Sequence, residues 1–112
     1  MEGATIDRPL TVEIVESLDG AVVVEMAGEF DLSVEKLFTQ AVTDGVVRDG
    51  HASVVLDLAA VTFLDSSGIR ALLVARQRAL ACGTRLVLRR PSPPVQRVLA
   101  LTGLVERFEI AS

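Results

Sequence analysis

The chain has 112 residues, half of them hydrophobic, and a formal net charge of −4; residues 1–112 are expected to form a single domain, large enough to bury a core. The acidic balance, with four Phe and no Trp or Tyr, argues against nucleic acid, which selects for basic patches and stacking platforms. No apolar run approaches the ~18 residues of a membrane span, and the one cysteine, Cys82, allows no internal disulfide and no cysteine metal cluster.

The opening M-E-G-A-T-I-D-R-P carries an early acid and lacks the basic-then-apolar order of a signal peptide, so a cytoplasmic protein with no membrane partner is expected. Thr11 to Ser17 (T-V-E-I-V-E-S) alternates with the period of a half-buried strand. Asp19-Gly20 reads as a tight turn and Ala21 to Ala27 as the more apolar partner strand of a hairpin. From Ser33 the period becomes helical. Val34, Leu37, Phe38, Ala41 and Val42 share one face, and Glu35 stands in the first turn, where the helix dipole favours an acid.

Ser53 to Leu58 (S-V-V-L-D-L) is a short β-branched run suited to a central strand. Ser66 to Cys82 is the strongest helix. Leu72, Ala75 and Ala79 mark the middle of its buried face, with Ile69, Leu73 and Leu80 at the edge. Arg76 interrupts that edge, its stem packing while its head reaches water. Gly83 stops the helix, and Thr84 to Arg89 is a further strand. Ser92-Pro93-Pro94 opens a helix through Leu101, Pro being tolerated where N–H groups lack partners anyway. Gly103 ends it, and Val105 to Ile110 is a last extended piece.

The order β-β-α-β-α-β-α describes an α/β domain: a mixed sheet with an N-terminal hairpin and helices packed on it. Right-handed crossovers make the strands after the hairpin parallel. Their joints to helices, Gly28–Ser33, Phe63–Gly68 and Arg90–Pro94, should therefore gather along one edge, where open α/β sheets place functional sites. Asp31, Asp65, Ser66 and Ser92 are expected to be neighbours there.

The joint F-L-D-S-S-G-I-R, Phe63 to Arg70, admits several roles. Asp65, Ser66 and Ser67 are each competent N-caps where one suffices. Gly68 costs about 1 kcal/mol inside a first turn, a cost that another backbone's close approach would explain. A serine nucleophile needs a base, but the only histidine, His51, falls in a loop at the opposite edge. There is no G-x-S-x-G elbow, and Lys36 is the sole lysine. A nucleotide cradle lacks both glycine-rich signatures, and the acids would repel phosphate. Asp31 and Asp65 make too small a ligand set for a metal and are expected to cap or be solvated. No cofactor is implied. Modification of the hydroxyl fits best: a phosphate at a helix N-terminus suits the dipole and changes the surface without melting the helix.

The stretch V-V-L-D-L-A-A-V-T-F-L-D-S-S-G-I, Val54 to Ile69, resembles the central motif of the STAS domain, in particular of the small anti-sigma-factor antagonists of bacteria. G-E-F-D, Gly28 to Asp31, is similar to the family's Gly-Glu-Leu-Asp joint. S-P-P-V-Q-R-V-L-A-L-T-G-L, Ser92 to Leu104, resembles its last helix and turn. Family members usually continue into a further C-terminal helix; this sequence stops at Ser112. The resemblance implies a STAS-like fold and a protein that is not an enzyme. Unphosphorylated, it would bind an anti-sigma factor that is a serine kinase of the histidine-kinase-like ATPase fold, and so release a sigma factor. Phosphorylation of Ser66 would end that binding, and a PP2C-type phosphatase would restore it.

Helical spacing puts Ser66, Arg70, Val74 and Gln77 on one stripe away from the core face. With Asp31, Asp65, Ser67 and Gly68, they form the expected partner surface. Arg70, four residues after Ser66, is also placed to pair with a phosphate on its own helix. Three alternatives carry distinct signatures. A scaffold or nucleotide-sensing STAS module in a stress-signalling complex or beside a transporter would bind nucleotide directly. A Ser66 nucleophile would react with a serine probe. An adaptor in which the joint is only a cap would be indifferent to Ser66→Asp.

Overall fold

A computed structural model describes residues 10–18, 20–47 and 50–111. Its one sheet runs β1 (Thr11–Leu18), β2 (Ala21–Phe30), β3 (Ser53–Leu64), β4 (Arg85–Arg89) and β5 (Glu109–Ala111) in spatial order. β1 and β2 are antiparallel, and β2 to β5 run parallel. The expected hairpin is present: Leu18 pairs with Ala21, although Asp19 of its turn lies outside the described residues. β5 is confined to Glu109–Ala111, following a 3-10 turn at Leu104–Glu106.

One alternating set faces the helices: Val22, Val24 and Met26 of β2, Val54, Leu56 and Leu58 of β3, Leu86 and Leu88 of β4. Helix α2 (Ser66–Ala81) adds Ala71, Leu72, Ala75 and Ala79 to the same core, and α3 (Pro93–Leu101) adds Val95 and Leu99. Arg76 is half-buried as expected, but Leu80 is exposed rather than at the core's edge.

The segment after β2 departs further from a simple amphipathic helix. It begins as a 3-10 turn (Leu32–Val34), passes through α1 (Glu35–Phe38) and continues π-wound over Thr39–Val47. Its buried residues include Val34, Phe38, Val42 and Val46, a repeat of four. At 3.6 residues per turn this repeat drifts by about 40° per step, and the wider π winding takes up the drift. Leu37, expected on the buried face, is exposed.

β3 is twice the length of the β-branched run, Ser53 to Leu58, that marked it. The extra residues pair with β2 beyond the point where β4 ends: Glu29 opposite Phe63 and Phe30 opposite Leu64, whereas β4 stops with Arg89 opposite Asp57. Register shifts after Glu25 and after Gly28 break the alternation that would have marked this stretch as strand. Gly28 has φ 106°, a conformation that favours glycine.

Asp57 ties β3 to β4. It is buried, accepts from the Ala59 N–H at 3.0 Å and from Arg89 at 2.8 and 3.2 Å, and also pairs with Arg90. Burial pushes its pKa up, but hydrogen bonds from Arg90, the Ala59 N–H and Arg89 outweigh that and hold it below 3.8. A carboxylate depressed in the folded state stabilises above the unfolded pKa, and that contribution is lost as pH falls through the folded one. Asp57→Asn should therefore cost about 1.5 kcal/mol at pH 7, with the gap to wild type closing below about pH 4. Urea denaturation at pH 7 and pH 3 measures both; a pH-independent gap would remove the ionised carboxylate from the account.

Candidate functional site: the rim where β2 and β3 meet α2

The ends of β2 and β3 build the site. Phe30 and Leu64, their last residues, pair with each other, and the Asp65 N–H donates to the Phe30 carbonyl at 3.3 Å. The first turn of α2 rests on this corner. A Cβ at Gly68 would press into the Leu64 Cδ1, lie 2.7 Å from the Phe30 carbonyl oxygen and 3.1 Å from Phe30 Cγ. At Gly68, helix and strand ends thus approach too closely to admit a Cβ. The Phe30 ring packs on Phe38 with centroids 4.8 Å apart, which fastens α1 to the same corner.

The capping duty is settled by geometry. The Asp65 carboxylate accepts from the N–H groups of Ser67 at 2.9 Å and Gly68 at 3.1 Å. Asp31 does the same for the turn after β2, accepting from the Ser33 N–H at 3.0 Å and its hydroxyl at 2.6 Å. Both carboxylates therefore cap. Ser66 is exposed and is not the residue that caps α2; Ser67 and Gly68 are buried beneath it. Ser67 and Gly68 are accordingly poor candidates for direct partner contact, whatever their place in the motif.

Arg70, Val74 and Gln77 are exposed with Ser66 along one stripe of α2. Arg70 reaches across to α1. Its Nε lies 3.2 Å from Glu35 Oε2, and its terminal nitrogen 3.3 Å from Oε1, a two-pronged pair. Ser92 does not join this group, contrary to expectation. It is buried, its hydroxyl donating to the Val61 carbonyl at 2.5 Å and its N–H to the Leu58 carbonyl at 3.3 Å. β4 ends opposite Asp57, seven residues and about 23 Å of extended chain before the end of β3 at Leu64, so the joint that follows it falls short of the rim. His51 lies beyond the start of the 12-residue β3, on the order of 35 Å from Ser66 and out of range as its base.

Reading the sequence missed three residues of this surface: Leu32, Phe63 and Glu35. Leu32 is 65% exposed and Phe63 46%, and with Val74, which was expected there, they give this face apolar side chains. Leu32 and Phe63 stand in the two joints beside Ser66, and an apolar residue within a polar joint was the available signal. Glu35 was read for its effect on the helix dipole, and nothing local pointed to Arg70 as its partner. Among the described residues, no helix is long and apolar enough to cross a membrane, and no group of three or more His, Cys, Asp or Glu is placed to hold a metal ion.

Comparison with known proteins agrees with this architecture. A family model described as STAS domain matches residues 13–112. A STAS-domain containing protein of Pseudomonas aeruginosa (strain UCBPP-PA14) is 27% identical over 103 residues, 91% of this chain and 100% of its own length. The crystal structure of an anti-sigma factor antagonist from Mycobacterium paratuberculosis superposes with a TM-score of 0.78 at 32% identity, covering 95% of this chain and 90% of that one. The anti-sigma factor antagonist SpoIIAA in its unphosphorylated form gives 0.74 at 22% identity, over 91% and 89%. The Bacillus SpoIIAA in its phosphorylated form gives 0.69 at 20% identity, over 91% and 92%.

Proposed function

The chain belongs to the STAS domain family, and from that premise we propose that it is an anti-sigma-factor antagonist switched by phosphorylation of Ser66. The observation that carries this reading is the division of labour at the start of α2. Asp65 caps the helix and Ser67 is buried, while Ser66 stands exposed in the first turn. Its hydroxyl can be modified without taking a cap from the helix. Solved relatives named as anti-sigma factor antagonists support the role. SpoIIAA, which shares the fold, keeps it both with and without phosphate.

In this mechanism the unphosphorylated rim docks on an anti-sigma factor that is a serine kinase of the histidine-kinase-like ATPase fold, and a sigma factor is released. The kinase then acts on the bound antagonist. The Ser66 Oγ bonds to the γ-phosphorus of ATP, the bond from that phosphorus to its bridging oxygen breaks, and ADP leaves. The hydroxyl proton passes to a base of the kinase. Release follows because about two negative charges now stand beside Asp31 and Asp65 in a surface that must lose its water to dock. A PP2C-type phosphatase hydrolyses the ester and resets the switch. The antagonist itself is a cytoplasmic substrate and binding partner, without catalysis of its own, formed by one domain over residues 1–112.

Incubation with such a kinase and ATP, followed by mass spectrometry, should find one phosphate, on Ser66. Ser66→Ala should take up none, because Ser67 is buried. Phosphate on Ser67 in that variant would overturn the assignment. Phe63→Ala tests the apolar lining. It should weaken kinase binding roughly 10-fold, as loss of a moderate interface anchor does, and lower stability by only about 1 kcal/mol, since the side chain is about half covered; isothermal titration calorimetry and a melting curve read the two separately.

A further inference from the structure

Arg70 and Glu35 hold a relation to Ser66 that phosphorylation would upset. Arg70 lies one helical turn after Ser66, the spacing at which side chains on a helix meet. In the unmodified chain its guanidinium fork is turned to Glu35 on α1. The pair is open to water, with 61% of the Arg70 side chain and 26% of the Glu35 side chain exposed, and such pairs are weak and exchangeable. Arg70 also feels Asp65: its charged form is favoured first by the hydrogen bond to Glu35, then by the charge of Glu35 and, less, by that of Asp65. The guanidinium is therefore already within the field of the helix start where the phosphate would appear.

A guanidinium binds phosphate in the same forked manner as carboxylate, and a phosphoserine offers about −1.5 to −2 charge against the single charge of Glu35. We propose that Glu35 is a positioning residue that holds Arg70 in readiness, and that phosphorylation of Ser66 draws Arg70 onto the phosphate of its own helix. The Glu35 carboxylate is then left unpaired on α1, in the helical segment that also exposes Leu32 and Leu37. One modification thus changes the surface in three ways: it adds a phosphate, removes a cation from the partner's reach and uncovers a carboxylate. The exchange rests on the reading of Ser66 as the modified residue.

The exchange itself is read without a kinase, whose binding is measured only to separate it from the switch. Phosphoserine is incorporated at position 66 of the full chain by genetic encoding, and its second ionisation is followed by phosphorus NMR. Wild type is compared with Arg70→Ala, Arg70→Lys and the isosteric Glu35→Gln, while the Arg70 Nε–H resonance is tracked in each. With Arg70→Ala the phosphate should titrate about half a pH unit higher, the size expected for an exposed ion pair. Arg70→Lys should recover part of the difference. Glu35→Gln should titrate lower than wild type, because Arg70 is no longer shared. Coincident titrations, or an Arg70 resonance unmoved by the phosphate, would overturn the exchange. Its failure is separable from that of the proposed function. If Arg70 moves to the phosphate but the kinase still binds, the switch falls and the exchange stands. If the phosphorylated chain is released with all titrations coincident, the exchange falls alone.

Discussion

Ser66→Asp is expected to lower affinity for the anti-sigma kinase by roughly 100-fold or more, equivalent to about 2.7 kcal/mol, while the stability of the domain stays within about 0.5 kcal/mol of wild type. The two effects separate because position 66 faces two different environments. Toward its own helix, an acid at the first turn meets a favourable dipole and displaces no cap, since Asp65 supplies it. Toward the partner, a carboxylate must be desolvated next to Asp65 and Asp31, which follow the paired ends of β3 and β2, in a surface that also exposes Leu32 and Phe63, and an unmatched buried charge costs several kcal/mol. Ser66→Ala should bind like wild type, since it adds neither charge nor bulk. Titration calorimetry with the purified kinase and urea denaturation give the two numbers. Undiminished binding by Ser66→Asp would reduce the rim to an ordinary helix start and leave the chain a binding module of other purpose.

Gly68→Ala carries the second large effect, and its sign is the informative part. Helix propensity alone favours Ala over Gly by about 1 kcal/mol. The corner at the strand ends opposes it more strongly. The added Cβ would sit 2.7 Å from the Phe30 carbonyl oxygen and 3.1 Å from Phe30 Cγ, as well as against Leu64. Leu64 can turn its side chain aside, but the Phe30 carbonyl is backbone at the end of a paired strand and accepts from the Asp65 N–H. Overpacking of this kind costs up to about 3 kcal/mol, so a net loss of about 2 kcal/mol is expected. Kinase binding should fall as well, because the turn that presents Ser66 must lift from its seat. A variant more stable than wild type in urea would show that α2 does not rest on the strand ends.

Glycine at that position is a case where local and tertiary readings disagree in sign. By local rules it is a defect in a first turn; in the fold it is what lets helix and strands meet. The sequence signalled that something unusual stood there, because a glycine and three capping-competent residues are more than a helix start requires. What approached Gly68, and which of the three residues capped, depended on Phe30, 38 positions earlier in the chain.

The sequence alone determined the parts whose physics is local. Alternation marked β1, a β-branched run marked the start of β3, a 3.6-residue period marked α2, and glycine and proline marked the end of α2 and the start of α3. The order of these elements gave the mixed sheet and its parallel crossovers. The motif around Ser66 was legible as well, since surplus capping residues, a hydroxyl and a glycine in a first turn are short-range features. Tertiary structure decided everything that turned on which strand outlasts which. β3 extends past β4 only because β2 is there to satisfy its backbone groups. That single fact buries Ser92 away from the rim and brings Phe63 level with Glu29. It also lets α1 and α2 meet over the corner, so that Glu35 finds Arg70 and the face around Ser66 acquires its apolar lining. Periodicity reports which side of an element is wet; only the assembled sheet reports how far each element runs and whose side chains it meets there.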